Sequence, residues 1–382
     1  MRQVMICAGE ASGDLHAGAL TKELLRLDSS LHVFGMGGEA MRAAGGEVLF
    51  DIKDHGVMGF AEVVRKLPSL FKLRDDLSKL MDEKRPPCLV VIDYPDFNMR
   101  IAKIAHDKGI PVISFISPSA WAWRKGRAKD VAKIVDTVAA IFPFERDVYI
   151  EAGANVSFVG HPLVDIVKPS MTKEEAEQLL HKRAGHKSVL LLPGSRLQEI
   201  KRLFPVMLEA AKIVHEKNDK IDFYVIRAST ISEETLQEFI QKTNLPLHIV
   251  TGHNYDIMSV SDVAIATSGT VTLEAALCGL PSVIIYKTSP VSAFIARRVI
   301  NIENIGLPNI VAGKRIMPEL LQEDANGENI AAATLCLLDE KNRPQIEADI
   351  AFMKERLGGS GAVGRVARLV LDTVDAFEAR RS

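Results

Sequence analysis

The sequence predicts an α/β protein made of two Rossmann-like, doubly wound domains facing a cleft. Three observations predict it. Short apolar runs ending in Gly, Ser, Asp or Pro recur along the chain, with helix-like stretches between them. The runs are continuous rather than alternating, as strands covered on both faces require, and strands alternating with helices make a parallel sheet. The pattern also stops at a polar stretch, VKPSMTKEEAEQLLHKRAGHK (167–187), and begins again after it. A length of 382 residues exceeds one ordinary core and agrees with two domains.

In the first half the strand candidates are VMICAG (4–9), HVFGMGG (32–38), CLVVID (88–93), PVISFISPS (111–119), VAAIFPF (138–144) and VSFVGHP (156–162). Helices are expected over HAGALTKELLRL (16–27) and MRIAKIAHDKG (99–109). The second half offers SVLLLPGS (188–195), DFYVIRAS (222–229), LHIVTG (247–252), DVAIATSG (262–269) and PSVIIYK (281–287). The tail, GGSGAVGRVARLVLDTVDAFEA (358–379), reads as a Gly-rich break and a closing amphipathic helix. The expected division is residues 1–165, completed by the closing helix at 358–382, then a linker at 166–187, then residues 188–357.

Composition narrows the function. A hydrophobic content of 47% and a charged fraction of 25% are those of a folded, soluble chain. A net charge of −2 argues against a general nucleic-acid binder. The cysteines Cys7, Cys88, Cys278 and Cys336 are scattered, forming neither a disulfide framework nor a zinc site, which fits a reducing cytoplasm. The start, MRQVMICAGEASGD, lacks the long apolar stretch of a secretory signal, and no membrane-spanning run is expected. No metal-binding motif emerges.

Ligands of open α/β sheets bind outside the carboxyl ends of the strands, so the chemistry is sought there. LVVIDYPDFN (89–98) places Asp93 and Asp96 where a buried run empties into a loop. Burying an unpaired carboxylate is costly, which raises the question why two sit there and, if the protein is an enzyme, which of them works. CAGEASGDLHAGAL (7–20) follows the first strand; Glu10 and Asp14 flank a tight loop, with Glu10 the better placed ligand contact and Asp14 equally suited to helix capping. FISPSAWAWRKGRAKDVAK (115–133) carries both tryptophans, Trp121 and Trp123, beside Arg124, Lys125 and Arg127. That group suits a sugar phosphate, or a packed loop with a solvated basic face. His161 in GHPLVD (160–165) fits a structural role as well as a chemical one.

In the second half, LLLPGSRLQEIKRLF (190–204) is a strand, a turn, Arg196 and a helix, an arrangement that binds phosphate or merely connects the two. ATSGTVTLEAALCGLPSVIIY (266–286) is more specific: Ser268, Gly269 and Thr270 open a helix and Glu274 lies one turn in. Small residues admit a diphosphate closely and the carboxylate suits ribose hydroxyls; a capped helix with a solvated glutamate is the other reading. No G-x-G-x-x-G follows the first strand, so NAD is not favoured.

Residues 57–81, VMGFAEVVRKLPSLFKLRDDLSKLM, place Phe60, Val63, Val64 and Leu67 at helical spacing, then Leu70, Phe71, Leu73 and Leu77 beyond an expected break at Pro68. Arg65, Lys66, Lys72 and Arg74 are interleaved. The stripe is either core or a helix lying in a membrane interface. SAFIARRVI (292–300), with Arg297 and Arg298, is a smaller version.

In order along the chain, GEASGD (9–14), VMGFAEV (57–63), IDYPDFN (92–98), SPSAWAWR (117–124), GHPLVD (160–165), LLPGSR (191–196), SGTVTLEAA (268–276) and LPNIVAG (307–313) resemble the signatures of the lipid-A-disaccharide synthases, glycosyltransferases of the two-Rossmann GT-B architecture. The resemblance implies the joining of UDP-2,3-diacylglucosamine to 2,3-diacylglucosamine 1-phosphate through a β(1→6) bond, with release of UDP, at the cytoplasmic face of the inner membrane. It implies an inverting single displacement with Asp93 as general base and Glu10 near the acceptor or the reacting centre. Asp96 is then expected to anchor its loop through backbone N–H groups. The resemblance carries uridine nucleotide binding to Arg196, Ser268, Gly269, Thr270, Glu274 and Asn309, with no cofactor and no metal. An acylated acceptor shifts the amphipathic stretch toward membrane docking through Val64, Leu67 and Phe71, with Trp123, Arg124, Arg297 and Arg298 as further acceptor or membrane contacts. Homodimers are common in the family. A UDP-sugar 2-epimerase and a nucleotide-sugar sensor are the competing readings; the first would isomerise UDP-sugar alone, and the second would bind UDP without product.

Overall fold

The computed structural model describes residues 2–55, 60–117, 125–288 and 303–380, with the side chains of 11, 54, 55, 60–67 and 125 outside that description. The chain divides into two compact units, Met1–Ile166 with Leu357–Ser382, and Val167–Arg356.

The first unit is built on seven parallel strands: β1 Gln3–Ala8, β2 His32–Gly37, β3 Glu47–Asp51, β4 Leu89–Ile92, β5 Val112–Phe115, β6 Thr137–Ala140 and β7 Val156–Phe158. Their order is β3-β2-β1-β4-β5-β6-β7, so the order reverses between β1 and β4, where Ala8 stands beside Ile92. β1 and β4 are apolar without interruption because helices cover both faces of the sheet. Strand β3 is absent from the expected series: it is an edge strand, half-exposed along its length, so GEVLFD carries no continuous apolar run.

Phe97, Ile101, Ala102 and Ala105 of the helix Pro95–Asp107 pack on Leu89, Val91 and Val112. Leu73, Leu77 and Met81 of the helix Phe60–Lys84 enter the same core. That helix runs through Pro68 rather than breaking there, and its apolar residues divide: Leu73 and Leu77 are buried, whereas Phe71 is 44% exposed with the Arg74 guanidinium 5.2 Å from its ring centroid. The expected single stripe over 70–77 is therefore two faces with two different surroundings.

The second unit has six parallel strands, β8 Lys187–Leu192, β9 Ile221–Ile226, β10 Leu247–Val250, β11 Val263–Thr267, β12 Ser282–Tyr286 and β13 Glu319–Leu321, in the order β10-β9-β8-β11-β12-β13. The order reverses between β8 and β11, where Leu192 stands beside Ala266. β13, three residues at the edge, begins with the charged Glu319 and is followed by Gln322, Glu323 and Asp324, so it is not among the expected strands.

Of residues 166–187, expected as a linker, Ile166 belongs to the first unit and 167–187 to the second. Their helix Lys173–Leu179 starts at Thr172 with a reciprocal Thr172–Glu175 capping box. Backbone N–H groups of Ser170 and Met171 donate to Asp256, and Ala176 and Leu180 are buried in the core. The stretch reads as a linker because so much of it is charged, yet Val167, Ala176 and Leu180 are buried. The chain returns to the first unit at Leu357, whose carbonyl accepts from the His161 N–H. Asp165 then accepts from Gly361 N at 2.6 Å and Val363 N at 3.1 Å, capping the helix Ala362–Ala379.

Candidate functional site

In parallel open sheets the crevice forms where the strand order reverses. In the first unit that point lies between β1 and β4, and the turns leaving those strands carry Glu10 and Asp93. Glu10 is the N-cap of the helix Ala11–Leu27 and makes no side-chain cap bond. Ser12 Oγ donates to Asp93 Oδ2 at 3.3 Å, joining the two turns. Asp93 and Tyr94 both adopt left-handed backbone, with φ of 52° and 50°. Two consecutive non-glycine residues in that region are unfavourable, and such conformations persist where surrounding contacts enforce them.

The enforcing contacts are visible. Asn98 is buried, and its Nδ2 donates to the carbonyls of Asp93 (2.7 Å), Ile92 (3.0 Å) and Cys7 (3.1 Å). One side-chain amide thus ties the end of β4 to β1. Gly9 allows the Tyr94 ring to lie where a side chain would be, since a Cβ on Gly9 would fall 2.1 Å from Tyr94 Cδ1. Burial first, then the charges of Glu10 and Asp96, raise the Tyr94 hydroxyl above its ordinary pKa. Asn98 and Gly9 were overlooked as site supports; both lie inside the quoted motifs, but their roles are contacts across 91 and 85 residues of chain, invisible to spacing.

The neighbouring acids do other things. Asp96 does not anchor its loop: Pro95 and Asp96 open the helix Pro95–Asp107, and the Asp96 carboxylate is exposed and paired with Arg127. A carboxylate in a helix's first turn is favoured by the helix dipole, which explains its place. Asp14 is buried and accepts from the N–H groups of Gly38 (2.6 Å), Ala40 (2.8 Å) and Met41 (3.2 Å), holding the turn after β2. His161 is buried beside Phe142, its Nδ1 accepting from Leu163 N at 3.2 Å, and burial lowers its pKa to about 3. Burial thus favours its neutral form.

In the second unit the crevice lies between β8 and β11. The turn after β8 carries Gly194 at φ 105°, and a Cβ there would lie 3.1 Å from Thr267 Cγ2, so the PGSR and TSG turns are in close contact. Arg196 is the exposed N-cap of the helix Leu197–Lys217, with Nη1 3.2 Å from Glu199 Oε1. Ser268 N donates to Ile285 O at 2.9 Å and Ser268 Oγ to Ile305 O at 3.3 Å. Gly269 has extended backbone, φ 168°, and among the described residues a Cβ on it would meet nothing within 4 Å. Thr270 begins the helix Thr270–Leu277, and Glu274 lies one turn along it. Burial raises the Glu274 carboxyl above its ordinary range, while a hydrogen bond from the Tyr255 hydroxyl pulls it back.

Arg196, Ser268, Gly269, Thr270 and Glu274 therefore belong to the turns and helix starts at one switch point. Asn309 does not join them as a contact. It is 0% exposed; Oδ1 accepts from Ile316 N and Met317 N, both at 2.8 Å, and Nδ2 donates to Met317 O at 2.8 Å and Glu319 Oε1 at 2.7 Å. Both amide protons and both carbonyl lone pairs are used within the protein, so its expected role as a nucleotide contact is corrected to that of a support. Val64 and Leu67 have side chains outside the description, and Trp123, Arg124, Arg297 and Arg298 lie outside the described residues. Among the described residues no helix is long and apolar enough to cross a membrane.

Two doubly wound units with polar turns at both switch points define the framework of the GT-B glycosyltransferases and UDP-sugar epimerases. The fold is shared with the UDP-GlcNAc 2-epimerase of Neisseria meningitidis bound to UDP-GlcNAc, at a TM-score of 0.70 and 13% identity over 97% of this chain and 100% of that one. The family model for lipid-A-disaccharide synthetase matches residues 4–360. The lipid-A-disaccharide synthase of Geobacter metallireducens is 44% identical over 372 residues, and that of Geobacter sulfurreducens 43% over 371, each match covering 97% of both chains. This chain belongs to the lipid-A-disaccharide synthase family.

Proposed function

We propose that this protein transfers 2,3-diacylglucosamine from UDP to the 6-hydroxyl of 2,3-diacylglucosamine 1-phosphate, in the lipid A disaccharide synthesis that defines its family. The observation that carries the reading is the Asp93 carboxylate, held by an enforced left-handed turn at the switch point of the first unit. As general base Asp93 takes the acceptor proton while the acceptor oxygen bonds to the donor's anomeric carbon. The bond from that carbon to the diphosphate breaks on the opposite face, which inverts the configuration and needs no covalent enzyme intermediate. Glu10, at the neighbouring turn, serves the acceptor.

In the same reading, UDP is held by the second unit. Arg196 and the amides opening at Ser268, Gly269 and Thr270 take the diphosphate, and Glu274 takes the ribose hydroxyls. Gly269 supports this: neither its φ nor its packing requires glycine, whereas close approach of a ligand does. The leaving charge is met by these groups, so transfer needs no added divalent ion. The acylated substrates bring the enzyme to the cytoplasmic face of the inner membrane, where the exposed Phe71 and its stacked Arg74 suit an interface.

Mass spectrometry of UDP-2,3-diacylglucosamine incubated with the acyl-sugar phosphate, with and without EDTA, tests the reaction. A disaccharide plus UDP is expected in both; isomerisation of the UDP-sugar without acceptor would overturn the reading. Asp93→Asn tests the base. Asn tolerates left-handed backbone better than other non-glycine residues, so the turn survives, UDP binding is retained, and turnover falls by about 10²–10⁴-fold. Near-normal turnover would remove Asp93 from the role.

A further inference from the structure

The second unit contains a buried carboxylate that the mechanism above does not use. Glu319 opens the edge strand β13 beside Ile284 of β12 and is 8% exposed. Among the described residues it has no ion-pair partner. Its oxygens accept from three N–H groups instead: Oε2 from Ile305 N at 2.9 Å, and Oε1 from Gly306 N at 3.0 Å and Asn309 Nδ2 at 2.7 Å. Three donors satisfy the charge without a cation. Gly306 is pressed onto this arrangement, because a Cβ there would lie 2.4 Å from Ile284 Cδ1 and 3.1 Å from Glu319 Oε1.

The turn so held touches the nucleotide site. The residue whose N–H is fixed by Glu319, Ile305, offers its carbonyl to Ser268 Oγ at 3.3 Å. A continuous path therefore runs from Glu319 through Ile305 to the SGT turn, and a second through Asn309 to the backbone of Ile316 and Met317. An edge strand needs no buried charge to pack, and apolar replacements of buried polar groups often match or exceed them in stability. What an apolar residue would lack is the ability to orient two consecutive backbone N–H groups and one side-chain amide at once.

We propose that Glu319 is a positioning residue of the nucleotide site, fixing residues 305–306 and the start of the helix Leu307–Ala312 so that they and Ser268 present a preset wall to a nucleoside diphosphate. The proposal rests on the reading that UDP binds at 268–274. Glu319→Gln keeps the shape and replaces one acceptor oxygen by an N–H group, which must then face either Ile305 N or the Gly306–Asn309 pair. Calorimetric titration with UDP should show a Kd raised about tenfold or more, and KM for the UDP-sugar should rise in parallel while KM for the acceptor stays within about twofold. A merely structural role would lower the titrated stoichiometry and leave Kd unchanged, and that result overturns the proposal. Ser268→Ala combined with Glu319→Gln should be less than additive in UDP affinity; full additivity also overturns it.

Hydrogen exchange on the unsubstituted chain keeps the test open if Glu319→Gln does not fold. The amides of Ile305 and Gly306 should exchange slowly before UDP is added. Exchange as open-loop amides that become protected only with UDP would show that the ligand, not Glu319, forms the turn. The same experiment separates the two readings: UDP protection away from 268–274 defeats the nucleotide site, whereas protection at 268–274 with an unchanged Kd in Glu319→Gln defeats this proposal alone.

Discussion

Asp93 and Asp96 stand three residues apart in one motif, yet the fold gives them opposite surroundings. Asp93 is held at the mouth of β1 and β4 by Ser12 and by its own left-handed backbone, while Asp96 faces solvent and Arg127. The difference comes from Pro95, which starts a helix rather than extending a loop and turns the following residue outward. Histidines show the same dependence on place. Burial lowers His16 to about 4 and His161 to about 3, from 6.5 in the open chain. Their share of stability is thus full above pH 6.5 and lost as pH falls toward those values. Glu145, raised by burial to about 7 from 4.5, opposes them, its share being lost as pH rises through 7. Two groups outweigh one between pH 6.5 and 5, so the melting temperature of the first unit should fall by about 5 °C over that window. His161→Asn should remove most of the fall; an unchanged slope in that variant would show that His161 is not the source.

At the scale of elements, the first unit's site is made by joining three pieces: β1, β4 and the helix Pro95–Asp107. Asn98 makes the joint, since its amide reaches carbonyls on both strands while its backbone belongs to the helix. Asn98→Ala removes all three bonds and leaves buried carbonyls short of donors, which costs about 2–3 kcal/mol. Urea denaturation should show that loss. Turnover of the remaining folded enzyme should fall further than its UDP affinity, because the second unit is untouched. Equal losses in both would mean that Asn98 supports the fold without placing Asp93.

For the whole molecule, family membership brings a chain whose described residues include no membrane-crossing helix together with lipid substrates. Helix Phe60–Lys84 combines the two demands: Leu73, Leu77 and Met81 hold it to the first unit while Phe71 stays outside with Arg74. Fully burying a phenyl ring is worth about 1.5–3 kcal/mol and Phe71 is 44% exposed, so Phe71→Ser should weaken sedimentation with anionic vesicles by about three- to tenfold. Its melting temperature should change little, since Phe71 is not among the described residues of the hydrophobic core. Undiminished vesicle binding would place the membrane contact elsewhere on the protein.

Much of this protein was legible in its residues alone. Apolar runs announced eleven of the thirteen described strands, most of them buried on both faces, and turns after those runs marked Asp93 and the 268–274 segment. The edge strands β7 and β10 were found although they are partly exposed, because their runs, VSFVGHP and LHIVTG, end in turn residues; β3 and β13 sit in GEVLFD and PELLQED, where charged residues flank the few apolar positions. Only the tertiary structure decided which polar residues act and which support: that Asn309 is bonded by backbone and by Glu319, that Asp14 caps a distant turn, and that Glu319 holds Ile305. Those roles depend on hydrogen bonds between segments far apart in the chain, and composition and spacing are blind to which donors a buried oxygen will meet.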